Sequence, residues 1–183
     1  MTVAEQIRAA TAIIPNFPKT GVNFIDITTV LEKPNTNEQA VNAVKNLFCP
    51  DEYDIIVSPG ARGWLLAQPI ALAQKKPFIP ARDPEKLPRE HISTGSISEY
   101  DRKPIAIHTG NILLGAKVLM IDDVAATCGT AKAIIELVKS QGGSVLGLAT
   151  LYDLPYLPDR VELPCPIRSI VAYEEPPEPY MPA

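Results

Sequence analysis

The chain has 183 residues, 46% of them hydrophobic, and a formal net charge of −4, which suits one globular domain around one core and, with no basic block or tail, gives nucleic-acid binding no electrostatic support. No apolar run reaches the length of a transmembrane helix, and no charged-then-apolar leader opens the chain. Cys49, Cys128 and Cys165 are odd in number, scattered, and without metal-ligand spacing to His91 and His108, which fits a reducing, cytoplasmic setting.

In chain order, residues 2–13 predict an amphipathic helix with Val3, Ile7 and Ala10 inward, ended by Pro15 and Pro18. Residues 14–28 form a Pro/Gly-rich extended arm whose Phe17 and Phe24 pack on what lies beneath. Residues 36–48 predict a helix with Ala40, Val41, Val44 and Leu47 inward. Strand signals follow at 54–58, 78–81, 105–108, 118–121, 145–151 and 167–172. Helices are predicted at 64–74, despite Pro69, and from 130 to about 141, with Ile134, Leu137 and Val138 on one face. Residues 59–63 read as a tight turn, 91–103 as a long loop or weak hairpin, and 174–183 as a Pro/Glu-rich tail, frayed or draped over the surface. The alternation predicts an α/β fold: a mostly parallel central sheet flanked by helices, in one domain spanning 1–183. In such sheets ligands gather at the carboxyl ends of strands, so the turns after Ser58, Ala81 and Asp122 should share one edge.

The most informative stretch is 118–130, Val-Leu-Met-Ile-Asp-Asp-Val-Ala-Ala-Thr-Cys-Gly-Thr. A short apolar run ends at Asp122 and Asp123, a small-residue loop follows, and a helix begins. Main-chain N–H groups of such a loop, with the helix dipole behind them, form a cradle for one phosphate. The acids beside it cannot bind phosphate, but they accept hydrogen bonds from vicinal sugar hydroxyls. The pair therefore suggests a phosphorylated sugar. Neither the Gly-x-x-x-x-Gly-Lys-Ser/Thr loop nor Gly-x-Gly-x-x-Gly after a strand is present. The same residues also fit a plain strand end with Thr127 capping a helix.

This run resembles the ribose-phosphate motif of type I phosphoribosyltransferases, and its Ala-Thr-x-Gly-Thr ending is most similar to the adenine phosphoribosyltransferases. The stretch 14–28, Ile-Pro-Asn-Phe-Pro-Lys-Thr-Gly-Val-Asn-Phe-Ile-Asp-Ile-Thr, resembles that family's hood. Ala61-Arg62-Gly63 resembles its pyrophosphate loop. Arg82, Lys86, Leu87 and Pro88 match an Arg-Lys-x-Gly-Lys-Leu-Pro pattern, and Glu99-Tyr100 matches the end of its flexible loop. The resemblance runs from about residue 14 to 150. Several positions depart from it: Ile25 where arginine is common, Gly60 for an acid, Asp83 for lysine, Glu85 for glycine, Ser98 for leucine and Asp101 for glycine in the flexible loop, and Cys128 for glycine.

The resemblance implies the type I phosphoribosyltransferase fold with a small N-terminal hood, about 14–35, and a flexible loop, about 83–103. It implies transfer of a phosphoribosyl group from phosphoribosyl pyrophosphate to adenine, giving AMP and pyrophosphate in purine salvage. Asp122 and Asp123 would bind ribose and favour positive charge on it, and Glu99 would act as acid or base toward the purine. Ala126, Thr127, Cys128, Gly129 and Thr130 would hold the 5′-phosphate. Arg62, Arg82 and Lys86 would bind pyrophosphate, Asn23, Phe24 and Ile25 the base, and Tyr100 would belong to the loop. Mg²⁺ is implied through substrate and water, with no direct protein ligand, and so is a homodimer. Another nucleobase as acceptor, or a nucleotide-binding relative with weak turnover, are the alternatives.

Overall fold

The computed structural model describes residues 1–94 and 104–182. Its first helix, α1 (Val3–Ala10), starts with a capping box in which Thr2 Oγ1 accepts from the Glu5 amide and Glu5 accepts from the Thr2 amide. It stops at Ala10, three residues short of the sequence expectation. Thr11 is already extended, and its buried hydroxyl sits between the Ile7 carbonyl and the Tyr152 hydroxyl, 2.6 and 2.7 Å away. Ile7 and Ala10 face inward as expected, but Val3 is exposed at the first turn.

The next residues form strands instead. β1 (Ala12–Ile14) pairs antiparallel with β2 (Phe24–Asp26), Ile13 opposite Ile25. This hairpin is the framework of the hood, and Phe17 meets Phe24 edge to face at 5.1 Å. Two helices follow, α2 (Thr28–Leu31) and α3 (Pro34–Lys45), the latter opening with proline at its first turn.

The rest alternates as read. β3 (Ile55–Pro59), α4 (Arg62–Gln74) and β4 (Phe78–Ala81) come first. A small antiparallel pair follows, β5 (His91–Ser93) with β6 (Ala106–His108). Then come β7 (Lys117–Ala125), α5 (Gly129–Ser140), β8 (Ser144–Asp153) and β9 (Ile167–Ala172). The central sheet has the order β4-β3-β7-β8-β9, and every pairing in it is parallel. The expected turn at 59–63 is shorter, because Arg62 and Gly63 already belong to α4.

Strand alternation gives the sheet two apolar faces. Ile56, Leu119 and Ile121 pack with Ile7, Val44, Leu66 and Ile70 under α1, α3 and α4. Val57, Val118 and Met120 pack with Ile134, Leu137 and Val138 of α5 on the other side. Because all strands run the same way, β3, β4 and β7 end at one edge, and their following loops converge there.

Residues 174–182 do not fray. Tyr180 and Ile13 exchange main-chain hydrogen bonds of 2.7 and 3.1 Å, so the tail lies along the free edge of β1. No helix among the described residues is long and apolar enough to cross a membrane.

Candidate active site

The two acids lie inside β7, not beyond it. The apolar signal ends at Ile121, but β8 continues alongside, pairing Asp122 with Thr150 and Ala125 with Asp153. Asp123 is 4% exposed, and its carboxylate accepts a 2.6 Å charge-assisted hydrogen bond from Arg62 Nε. Asp122 Oδ1 accepts from the Asp123 amide at 2.9 Å. Burial, and next the neighbouring Asp123, push the Asp122 carboxyl well above the usual carboxylate range.

After Ala125 the chain leaves the sheet, and a loop of three residues leads into α5. Its carbonyls are tied back to the protein. The Ala125 carbonyl accepts from the Leu154 amide and from Arg160, the Ala126 carbonyl from Arg160, and the Thr127 carbonyl from the Val161 amide, at 2.8–3.4 Å. Arg160 is in turn paired with Asp153 at 2.6 Å. The amides of Ala126, Thr127 and Cys128, by contrast, donate to no acceptor among the described residues. A loop whose acceptors are satisfied and whose donors are free is built for an anion. Thr127 does not cap the helix; Cys128 occupies that place, in the left-handed region at φ 61°, ψ 9°.

Across the cleft stands the start of α4. Gly63 is required there, since a Cβ would lie 2.6 Å from Ser58 Oγ and 2.7 Å from Asp122 Oδ1. The helix thereby brings Arg62 onto Asp123 and 4.9 Å over the ring of Phe24. The two Nη groups of Arg62 have no partner among the described residues. Gly60, where the resemblance leads one to expect an acid, lies under the indole of Trp64: a Cβ on Gly60 would come within 2.5 Å of that ring.

Arg82 stacks on the other part of this arrangement, 5.2 Å from the Trp64 ring. Asp83, the second departure, caps the short turn Pro84–Lys86 by accepting from the Glu85 amide at 3.1 Å. Lys86, at the end of that turn, is exposed. Glu99 and Tyr100 lie outside the described residues.

The cleft so formed has a volume of about 470 Å³ and is lined by Arg62, Asp122, Asp123 and residues 126–130 together. Concavities of about 510 and 520 Å³ lie elsewhere, beside Lys45 and Arg168 and beneath the tail. Neither combines free main-chain donors with an acid pair.

A family described as the phosphoribosyl transferase domain matches residues 35–165. The adenine phosphoribosyltransferase of Kosmotoga olearia is 41% identical over 161 residues, covering 87% of this chain and 95% of its own length. That of Desulforamulus reducens is 44% identical over 142 residues, 78% of this chain and 83% of its own. The crystal structure of adenine phosphoribosyltransferase from Thermoanaerobacter pseudethanolicus superimposes with a TM-score of 0.85 at 34% identity, covering 93% of this chain and 99% of that one.

The chain belongs to the adenine phosphoribosyltransferase family.

In the hood, Ile25 is 7% exposed and its side chain joins the core under α1 and α3. Its main chain is a different matter. Ile13 spends its amide and carbonyl on Tyr180. The Ile13–Ile25 pair is therefore of the non-hydrogen-bonded kind, and the amide and carbonyl of Ile25 point away from β1. Asn23 is committed too, its Nδ2 donating to the Pro177 carbonyl at 2.8 Å. Phe24 alone of the three reaches the cleft residues, through Arg62.

Sequence reading missed Arg160, the contacts of Trp64 and the pairing of the tail with β1. Arg160 stands in a Pro-rich stretch with no local signal, far along the chain from the loop it anchors. Trp64 was legible only as the first residue of a helix.

Proposed function

We propose that this chain transfers the 5-phosphoribosyl group from phosphoribosyl pyrophosphate to adenine, releasing pyrophosphate and AMP. The single observation that carries the reading is the loop after β7, with its carbonyls anchored, its amides free and two acids at its start. The free amides of Ala126, Thr127 and Cys128, with those of Gly129 and Thr130 at the start of α5, grip the 5′-phosphate. Asp122 and Asp123 accept from the ribose hydroxyls and stabilise positive charge as the anomeric carbon–oxygen bond breaks. The base nitrogen then bonds to that carbon and its proton departs, with Glu99 as the acceptor in this reading. Arg62, Arg82 and Lys86 neutralise the leaving pyrophosphate.

The base lies between the Phe24 ring and the open main chain of Ile25, which offers one donor and one acceptor side by side. Mg²⁺ would be held through oxygens of the pyrophosphate, the sugar and water, with no direct protein ligand, and would supply charge neutralisation to the leaving group. A homodimer belongs to the same reading: Leu65 and Leu72 are exposed one heptad apart on α4, a stripe suited to a second copy.

The test is conversion of radiolabelled adenine, guanine, hypoxanthine and xanthine with phosphoribosyl pyrophosphate and Mg²⁺. Turnover of adenine at least 100-fold above the other three is expected. AMP binding without turnover would leave a nucleotide-binding protein instead.

A further inference from the structure

The connection that leaves β8 brackets the loop after β7. Leu154, Arg160 and Val161 between them hold three consecutive carbonyls, those of Ala125, Ala126 and Thr127. Two short turns bring this about. The Leu157 amide donates to the Leu154 carbonyl and the Arg160 amide to the Leu157 carbonyl, at 3.3 Å each, so the chain winds back to the place where β7 and β8 part. Asp153 is the register partner of Ala125 at that place. Its Oδ1 is buried and takes no hydrogen bond of ordinary geometry among the described residues; its counter-charge is Arg160 Nη1, 2.6 Å away. The same nitrogen reaches the Ala125 and Ala126 carbonyls at 3.0 and 3.4 Å. Both charged side chains are only 17% exposed, so solvent screens them in part.

An acid at this point is a liability for an anion site. A carboxylate behind the loop repels a phosphate in front of it, and does so more strongly where water is scarce. A carbonyl turned into the cleft would do the same. One guanidinium removes both obstacles. Cys128, in the middle of the cradle, feels the two charges: burial pushes its thiol up, Arg160 opposes that, and Asp153 adds to it.

We propose that Arg160 is a positioning residue for the 5′-phosphate. It cancels the charge of Asp153 and holds the Ala125 and Ala126 carbonyls off the cleft, so that the phosphate meets donors only. Arg160 touches no ligand itself and acts through these residues. This rests on the reading of the cleft as a phosphoribosyltransferase site.

Calorimetry on the full-length protein compares AMP with adenosine, which differ only in the 5′-phosphate. Arg160→Ala should weaken AMP binding about tenfold and leave adenosine within about twofold of the parent. Asp153→Asn should act with the opposite sign, tightening AMP about two- to fivefold with adenosine unchanged, because the cation then stands uncancelled. The double variant Arg160→Ala/Asp153→Asn should bind AMP more tightly than Arg160→Ala alone. Arg160→Lys, which keeps the charge, should recover most of the loss. A merely structural ion pair would instead weaken AMP in both single variants, and adenosine with it.

Weaker AMP binding by Asp153→Asn would overturn the inference, and so would equal loss of AMP and adenosine in Arg160→Ala. If Arg160→Ala does not fold, the sign of the Asp153→Asn effect decides. A parent protein that converts adenine while its variants show the wrong signs loses this role for Arg160 alone. A parent that binds neither AMP nor the ribosyl donor loses the reading of the cleft as well.

Discussion

Arg62 Nε donates to Asp123 Oδ2 at 2.6 Å, and the same guanidinium lies 4.9 Å over the ring of Phe24. One side chain therefore joins the start of α4, the buried Asp123 on β7 and the hood. Its loss touches three parts of the cleft at once. Arg62→Ala leaves Asp123 buried beside Asp122 with no cation, a loss of about 1.5–3 kcal/mol of charge-assisted bonding. We expect kcat/KM for the ribosyl donor to fall by about 10- to 150-fold. Arg62→Lys should recover only part, because a point charge cannot hold Asp123 and present a planar face to Phe24 together. Steady-state kinetics on both variants measures this, and equal activity of the two would contradict it.

Asp122 sets a pH dependence of definite sign. Burial and Asp123 raise its folded-state pKa above the unfolded value, so the folded protein binds the proton more tightly than the unfolded chain does. Its contribution to stability is favourable at low pH. That contribution is lost as pH rises from the unfolded value through the raised one, and is constant above it. Asp122→Asn should therefore raise the urea midpoint near pH 7 and abolish this part of the pH profile. The same variant should bind the ribosyl donor at least tenfold more weakly, since the amide N–H₂ cannot accept from a hydroxyl. In the parent, donor affinity should strengthen as pH rises through the raised Asp122 value, which calorimetry across a pH series would follow.

Cys128 already holds the left-handed backbone that glycine favours, φ 61°. A side chain in that region costs about 1–2 kcal/mol. Cys128→Gly should therefore gain about 1 kcal/mol of stability and leave KM for the donor within twofold, because the amides are already aimed. Cys128→Val, whose branched Cβ resists that region, should raise this KM more than tenfold. Denaturant titration beside donor kinetics separates the two effects.

Among the described residues the tail makes four hydrogen bonds to the N-terminal segment: two between Ile13 and Tyr180 and one from Asn23 to Pro177, all in the hood, and one from the Tyr180 hydroxyl to the Ala9 carbonyl of α1. At about 0.5–1.5 kcal/mol each, ending the chain at Tyr173 should cost about 2–6 kcal/mol. It should also raise KM for adenine while sparing that for the ribosyl donor, because only the hood loses its support. An unchanged adenine KM would show that β1 and β2 stand without it.

What the sequence showed, it showed where the determinants are local. The loop at 126–130 was readable because strand, small residues and helix follow one another within a dozen positions. Parallel topology was readable from alternation. The length of β7 was not, because Asp122 and Asp123 stay in the sheet only by pairing with β8, a distant partner. Residues 11–13 look helical in isolation, yet Ile13 is claimed on both sides, by Ile25 and by Tyr180. Arg160 and the stacking of Arg82 on Trp64 depend on tertiary placement alone. Ile25 shows the reverse: its motif position was recognised, but its apolar side chain turns to the core and only its main chain remains for a ligand.

The strand order has a consequence for how the chain acquires its shape. Ile55 of β3 finds its inner neighbour in Val118 of β7, across α4, β4 and the β5–β6 pair. Until that later segment arrives, the β3–β4 ribbon presents a bare apolar edge. Such distant pairings slow collapse into the right register and expose the chain to self-association meanwhile. Recovery from denaturant should accordingly be best at high dilution, with yield governed by the time β3 waits for β7 rather than by the strength of the finished cleft.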